Sequence, residues 1–465
     1  MDPCSLGCNA RSFAVVVPAL PLALALSACT LAADAPTAET RPAAQAEPVA
    51  EAVAEAPAAI PQPPTGVLGL RDALAAALLG NPDLATFSWE MRAREARTLQ
   101  AGRLPNPEMA TEFEDFGGSG DRSGWQSAQT TLSLSQLVEI GGQRAKRRRV
   151  AALEQELAGW DYEARRLDVL TDVTKTFVKL LEIQERLALT EELARLAAQV
   201  RGTVAATVRA GAVSPVEEAR AQVALSRATL ERTQLAREFD AVRAALAASW
   251  GAQTVTFERV HGDLRAASPP PELATLLSSV PQNPDLARWA TELEARKAAL
   301  GVEEARRIPS PTVRFGGRHF ADHDDSALVA ELGLPLPLFD RNQGGILEAQ
   351  RRLSKARIER VAVETGVRAQ LAATYQALRA AYERAEALES GTIPEAQRVY
   401  GGAFDAYTKG RYRYLEVLDA QRTLFELRGE HLQALAAYHI AAAELERLTG
   451  APLPGAHPGA VEETP

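Results

Sequence analysis

This chain repeats itself, and nothing else in its sequence restricts the possible folds as strongly. Ala221-Gln222 recurs as Ala420-Gln421, Gly211 as Gly410, Glu217 as Glu416 and Gly251-Ala252 as Gly450-Ala451, each pair 199 residues apart. Upstream, Asn81-Pro82 recurs as Asn283-Pro284, and Leu104-Pro105-Asn106-Pro107 as Ile308-Pro309-Ser310-Pro311, so the spacing drifts only by small length differences in the connections. A shift held over so long a span makes the chain two copies of one folding unit, residues 66–252 and 253–451.

Each unit reads helix, strand, strand, long helix, turn, helix. In the first, Arg71 to Gly102 is Ala-rich and helical, and the breaker at Leu104-Pro105-Asn106-Pro107 ends it. The period then changes to two. Met109, Thr111 and Phe113 alternate with Glu108, Ala110, Glu112 and Glu114, and beyond a Gly-rich loop Leu132 and Leu134 alternate with Thr131, Ser133 and Ser135. That pattern predicts a hairpin within 107–137 with one apolar and one polar face. Val313 and Phe315 against Arg314 and Arg318, then Leu328, Ala330, Leu332 and Leu334 against Val329, Glu331 and Gly333, predict a second hairpin within 311–337.

The proline-free run 142–208 carries Leu170, Val173, Phe177, Leu180 and Leu187 on a heptad seam. It is read as one helix of a supercoiled bundle, roughly 100 Å long at ~1.5 Å per residue. The return helix, 215–250, has a similar stripe (Leu235, Phe239, Val242, Leu246) but is too short to match its partner; stacking the unit's first helix end to end on it restores the length. The second unit repeats this with helices 344–408 and 414–449.

Four such strands suit lipid on one face and water on the other, yet an open sheet leaves backbone edges in hydrocarbon at several kcal/mol per unsatisfied group. Other copies of the chain must close it. Three copies give twelve strands, within the range of outer-membrane barrels, whereas two give eight, whose interior fills with side chains. The expected fold is mainly α with a small β part: a trimer sharing a twelve-stranded barrel, four strands per protomer, continued by a long helical coiled-coil barrel.

The 465 residues include only 5% aromatics, and the net charge of −9 argues against nucleic acid, which needs clustered Lys and Arg. All three cysteines, Cys4, Cys8 and Cys29, fall in the first thirty residues, so no disulfide framework or thiolate metal site is expected beyond them. Arg11 precedes an apolar, Pro-broken stretch too short to span a bilayer, the order of a signal peptide over 1–28. It ends Leu26-Ser27-Ala28-Cys29, which resembles the lipobox of bacterial lipoproteins, and the resemblance implies lipidation of Cys29; Thr30, where an Asp would imply inner-membrane retention, implies the outer membrane. Ala, Pro and Glu dominate 29–65, read as a flexible tether, and 452–465 is read as a disordered tail.

After the tether the whole chain resembles the TolC family of outer-membrane efflux proteins, on the strength of the repeat and the lipobox. Pro105-Asn106-Pro107-Glu108, EFEDFGG from Glu112 to Gly118 and TTLSLSQLVEIGGQR from Thr130 to Arg144 resemble its cobalt-zinc-cadmium resistance (CzcC-like) branch. The resemblance implies a homotrimeric outer-membrane channel of a tripartite exporter for divalent heavy-metal cations, joined to a periplasmic adaptor and driven by an inner-membrane RND pump. It implies that the turns at Gly211 and Gly410 are adaptor-docking tips. Glu416 and Asp419, three apart on one helix face, would ring the closed periplasmic entrance as six carboxylates per trimer, concentrating cations. Tyr412 and Arg413 beside them depart from the family pattern.

Glu108, Glu112, Glu114 and Glu331 are expected on the barrel lumen if Met109, Phe113 and Leu332 face lipid, with Arg314 and Arg318 sharing that interior. His319 and His323, among Asp322, Asp324 and Asp325, invite a metal reading. At a hairpin tip they lack ordered supporting partners, so they remain weak candidates. His431 falls on an apolar stripe. No zincin spacing, phosphate loop or nucleophile elbow occurs, so neither an enzyme nor a cofactor is expected. The competing readings are the same channel serving drugs or type I secretion, and a coiled-coil scaffold lipoprotein that forms no pore.

Overall fold

The computed structural model describes residues 64–453 except 212. The expected signal peptide, Cys29 and nearly all of the tether lie outside the described residues. In chain order the elements are β1 (Gly66–Gly69), α1 (Leu70–Gly80), α2 (Pro82–Ala101), β2 (Glu108–Glu114), β3 (Gln129–Leu137), α3 (Gln143–Arg209), α4 (Pro215–Ala248), β4 (Phe257–His261), α5 (Leu273–Ser279), α6 (Pro284–Ala305), β5 (Thr312–Phe320), β6 (Asp325–Gly333), α7 (Gln343–Ala387), α8 (Ile393–Thr408) and α9 (Tyr414–Thr449).

Four columns result. One is α3 alone, with 67 residues. A second is α7 and α8, joined through one π-helical turn at Leu388–Thr392. Pro394 explains that turn: it has no N–H to give and its ring would strike the preceding turn, and one widened turn absorbs both. The other two columns are stacks, α2 on α4 and α6 on α9.

Each stack is fastened by an asparagine with two tasks. Asn81 caps α2, its Oδ1 accepting from Asp83 N (2.9 Å) and Leu84 N (3.1 Å), while its Nδ2 donates to Ser249 O at the end of α4 (2.7 Å). Asn283 accepts from Asp285 N (2.7 Å) and donates to Arg447 O (3.1 Å) and Leu448 O (2.9 Å) at the end of α9. The sequence reading made Arg71–Gly102 one helix; it is two, because Asn81 takes an extended cap conformation ahead of Pro82 at the first helical position. Only α2, 20 residues long, stacks on α4, while α1 lies against the side of α3.

Two short strands were not expected: β1 and β4 pair in parallel. Gln184 of α3 fastens them, its side chain donating to Val260 O and accepting from Val260 N, both at 3.1 Å. Leu68, Phe257 and Val260 join Val173, Phe177, Leu180 and Leu181 of α3 and Trp250 in the main core. Here α3 is covered over most of its circumference, with Asp172 still exposed, which is why its apolar residues outnumber one heptad seam. A second core joins α5, α7 and α9 around Leu371, Leu378, Tyr438 and Leu445. Leu453, inside the segment expected as a tail from residue 452, is buried there and its N donates to Glu446 Oε1 (2.7 Å); the segment beyond it lies outside the described residues. At the far end of the columns stands one antiparallel sheet in the order β2-β3-β5-β6.

Candidate functional site

Register decides which side chains share a face of that sheet. Met109 lies opposite Leu134 and Thr111 opposite Leu132; Leu134 lies opposite Phe315, Val313 opposite Leu332 and Gly317 opposite Leu328. This face is apolar and bare: Leu328 is 95% exposed and Met109 75%. The other face holds Glu108, Glu112 and Glu114 with Ser135, Thr131 and Gln129, then Arg314, Arg318 and Glu331. Arg314 pairs with Glu331 (3.3 Å) and Arg318 with Glu114 (3.0 Å). Arg318 also donates to Thr131 Oγ1 (2.9 Å) and Gln129 Oε1 (3.0 Å). Glu108 and Glu112 have no ion pair among the described residues. All four carboxylates singled out in the sequence therefore share one polar face with both arginines, and two of them are neutralised there.

Aromatic side chains mark the loop end of the first hairpin. Trp125 stacks on Phe116 (centroids 4.7 Å apart) and meets Phe113 edge-on (6.3 Å). Exposed rings beyond an apolar strand band suit a membrane–water boundary. The sequence reading passed over Phe116 and Trp125; a Trp in an otherwise Gly- and Ser-rich loop was the available signal.

The opposite end of the molecule carries the two turns. Gly211 (φ +72°) and Gly410 (φ +70°) both take the left-handed conformation that ends α3 and α8, a conformation Gly adopts without a Cβ penalty. Tyr414, the first residue of α9, is buried with Val200 and Val204 of α3 and Ala221 of α4, so the two tips share one small core. Its ring lies 6.1 Å from that of Tyr407. Burial, then the neighbouring Tyr407 and Glu217, push the Tyr414 hydroxyl up to about 12. Burial and Glu217 likewise raise Tyr407.

The repeat is chemically unequal at this point. Glu217 of α4 and Glu416 of α9 occupy corresponding positions, but Glu217 is turned inward, with Oε2 lacking a hydrogen-bond partner among the described residues and Oε1 3.4 Å from Arg220. Glu416 is exposed. Asp419, also exposed, sits 3.4 Å from Arg422 on its own helix. Its counterpart in the first unit is Arg220, so only the second unit presents two carboxylates together. The burial of Glu217 beside two tyrosines was not visible in the sequence, because it depends on how α4 meets α8 and α9.

His319 and His323 do not converge. His319 lies on the apolar face with Nε2 3.8 Å from Asp324, while His323 Nδ1 is 3.0 Å from Asp322. Among the described residues no group of three or more His, Cys, Asp or Glu is placed to hold a metal ion. His431 is 7% exposed in α9, with Nε2 4.0 Å from Glu389 of the π-helical turn.

The chain matches the family model described as outer membrane efflux protein over residues 73–252 and 278–451, one match per repeat. It is 32% identical over 392 residues to the cobalt-zinc-cadmium resistance protein CzcC of Cupriavidus metallidurans, covering 84% of this chain and 92% of that one. It is 29% identical to the nickel-cobalt-cadmium resistance protein NccC of Alcaligenes xylosoxydans xylosoxydans, covering 67% and 71%. The fold matches crystal structures of CusC, described in connection with transmembrane channel formation, with a TM-score of 0.70 at 17% identity over 83% of this chain and 94% of that one. With two tandem family matches, a relative aligned along most of its length and this shared fold, the chain belongs to the outer membrane efflux protein family.

Proposed function

We propose that the chain is the outer-membrane channel of a tripartite exporter of divalent heavy-metal cations. It works as a homotrimer, lipid-anchored at Cys29, with a periplasmic adaptor docking at the Gly211 and Gly410 turns and an inner-membrane RND pump supplying the energy. The observation that carries the substrate class is the 32% identity, along 84% of the chain, to a protein named for cobalt, zinc and cadmium resistance. The physical arrangement is compatible with it. A sheet bare and apolar on one face and charged on the other suits a lipid-facing wall around a water-filled lumen, with Glu108, Glu112, Glu114 and Glu331 inside it. Glu416 and Asp419, repeated three times, would set a negative ring at the periplasmic entrance.

Deleting the gene tests the substrate: tolerance to zinc, cobalt, cadmium or nickel should fall while tolerance to dyes and antibiotics holds. Unchanged metal tolerance, or a loss confined to organic compounds, overturns the metal assignment. Single-channel conductance of the purified protein in a planar bilayer tests the pore separately.

A further inference from the structure

All four helices that run to or from the sheet carry cations at that end. Arg103 follows α2, Lys146, Arg148 and Arg149 lie in the opening turns of α3, Arg307 follows α6 and Arg341 precedes α7. Arg147, Arg306 and Arg352 beside them are neutralised by Glu139, Glu303 and Glu348, whereas those six form no ion pair among the described residues. The acids without an ion pair at the same level are Glu108, Glu304 and Asp340. In a chain of net charge −9 the balance here is therefore positive.

Two of the six share a preformed cleft. Arg307 and Arg341 line a cavity of about 510 Å³ together with Leu338, Phe339, Ile346 and Leu347, and both also line its neighbour with Pro337. Asn342 fixes its shape: Nδ2 donates to Glu303 O (2.9 Å) and Glu303 Oε2 (2.7 Å), which ties the linker after β6 to α6. Arg341 Nε donates to Pro337 O (3.3 Å), which holds that side chain against the linker. On its other side the cleft continues the bare face of the sheet. The alternation that puts Leu328, Ala330 and Leu332 on that face runs on as Leu334, Leu336 and Leu338, all exposed, and Phe339 is 91% exposed. A pair of guanidinium groups thus borders an apolar surface just where the apolar band ends.

A phospholipid presents the complementary chemistry in the same order, acyl chains and then a phosphate. We infer that the six cations form a basic collar under the lipid-facing band that binds the phosphate headgroups of anionic phospholipid. The Arg307–Arg341 cleft seats one such lipid per copy, its phosphate between the two guanidinium groups and an acyl chain on Leu338 and Phe339. Planar guanidinium forks match phosphate oxygens in pairs, which a point charge does not. The long side chains can lay their stems on apolar surface and keep their charged heads at the headgroup layer, and each cation beside an anionic leaflet strengthens binding roughly fivefold. The inference rests on the lipid-facing wall proposed above.

Native mass spectrometry of the full chain in detergent, titrated with phosphatidylglycerol or with phosphatidylcholine, counts the lipid retained. The parent should hold phosphatidylglycerol roughly tenfold more tightly than phosphatidylcholine. Arg307→Gln with Arg341→Gln should weaken phosphatidylglycerol roughly tenfold, and Arg307→Lys with Arg341→Lys should recover most of that loss. Arg232→Gln with Arg237→Gln, both exposed on α4, should leave retention unchanged. Equal retention of the two lipids by the parent overturns the collar. A Lys pair that binds as poorly as the Gln pair, or an equal loss in the α4 pair, overturns the cleft. Glycerol 3-phosphate held as tightly as the lipid replaces the lipid with a free anion. Any of these results in a chain that still conducts in a planar bilayer leaves the channel standing; a parent that neither conducts nor prefers phosphatidylglycerol removes channel and collar together.

Discussion

Asn283 is fully buried and makes three side-chain hydrogen bonds that join α6 to the end of α9. Replacing it with Ala removes a cap and strands two carbonyls, a loss of about 2–3 kcal/mol. Asn81→Ala, part-exposed, should cost about 1–2 kcal/mol. Thermal unfolding followed by circular dichroism should rank the two variants in that order, and equal midpoints would refute the dual role. Glu416→Gln with Asp419→Asn removes all six carboxylates proposed for the entrance. The double variant should conduct more in the closed state and lose cation over anion preference by about tenfold in planar-bilayer reversal potentials; unchanged selectivity places the constriction elsewhere. The paired carboxylates were legible in the sequence because a spacing of three is a property of one helix. Glu217 was legible only as a repeat landmark, since its burial against Tyr407 and Tyr414 depends on three helices meeting.

At the scale of elements, the π-helical turn and α9 meet around His431. Burial lowers the affinity of this imidazole for a proton, Glu389 pulls the other way and Arg265 adds to the lowering. The unfolded chain therefore binds a proton at a higher pH than the folded chain does. Stability is fully present above the ordinary histidine range near 6.5 and is lost as the pH falls from there toward the depressed folded value, below which it levels off. His431→Gln should flatten the pH dependence of the melting midpoint in that window; an unaltered slope would assign the effect to another group. The hairpins and long helices were readable because period two and the heptad each persist over many residues. The β1–β4 pair was not, because strands of four and five residues carry too little pattern and pair across nearly the whole first repeat. The break at Asn81-Pro82 was readable in principle as a cap followed by proline, but the Ala-rich composition on both sides masked it.

For the whole molecule, adjacent residues of β6 make opposite demands. Leu332 lies on the bare apolar face and Glu331 on the polar one. Leu332→Arg should cost about 2–4 kcal/mol per copy at mid-bilayer depth and reduce the membrane-inserted trimer on sucrose-gradient fractionation. Glu331→Gln should insert normally and alter only conductance; if both variants insert alike, the assignment of faces is wrong. The sheet order β2-β3-β5-β6 has a further consequence, because its central pair, β3 and β5, joins the two repeats. The junction between repeats is made by segments of one chain, so it forms at a fixed effective molarity however dilute the protein is. In the homotrimer proposed above, the junction between copies has no such tether, and its occupancy rises with protein concentration. Dilution should therefore undo the seams between copies first, leaving each chain folded around its internal seam with both lateral edges uncovered.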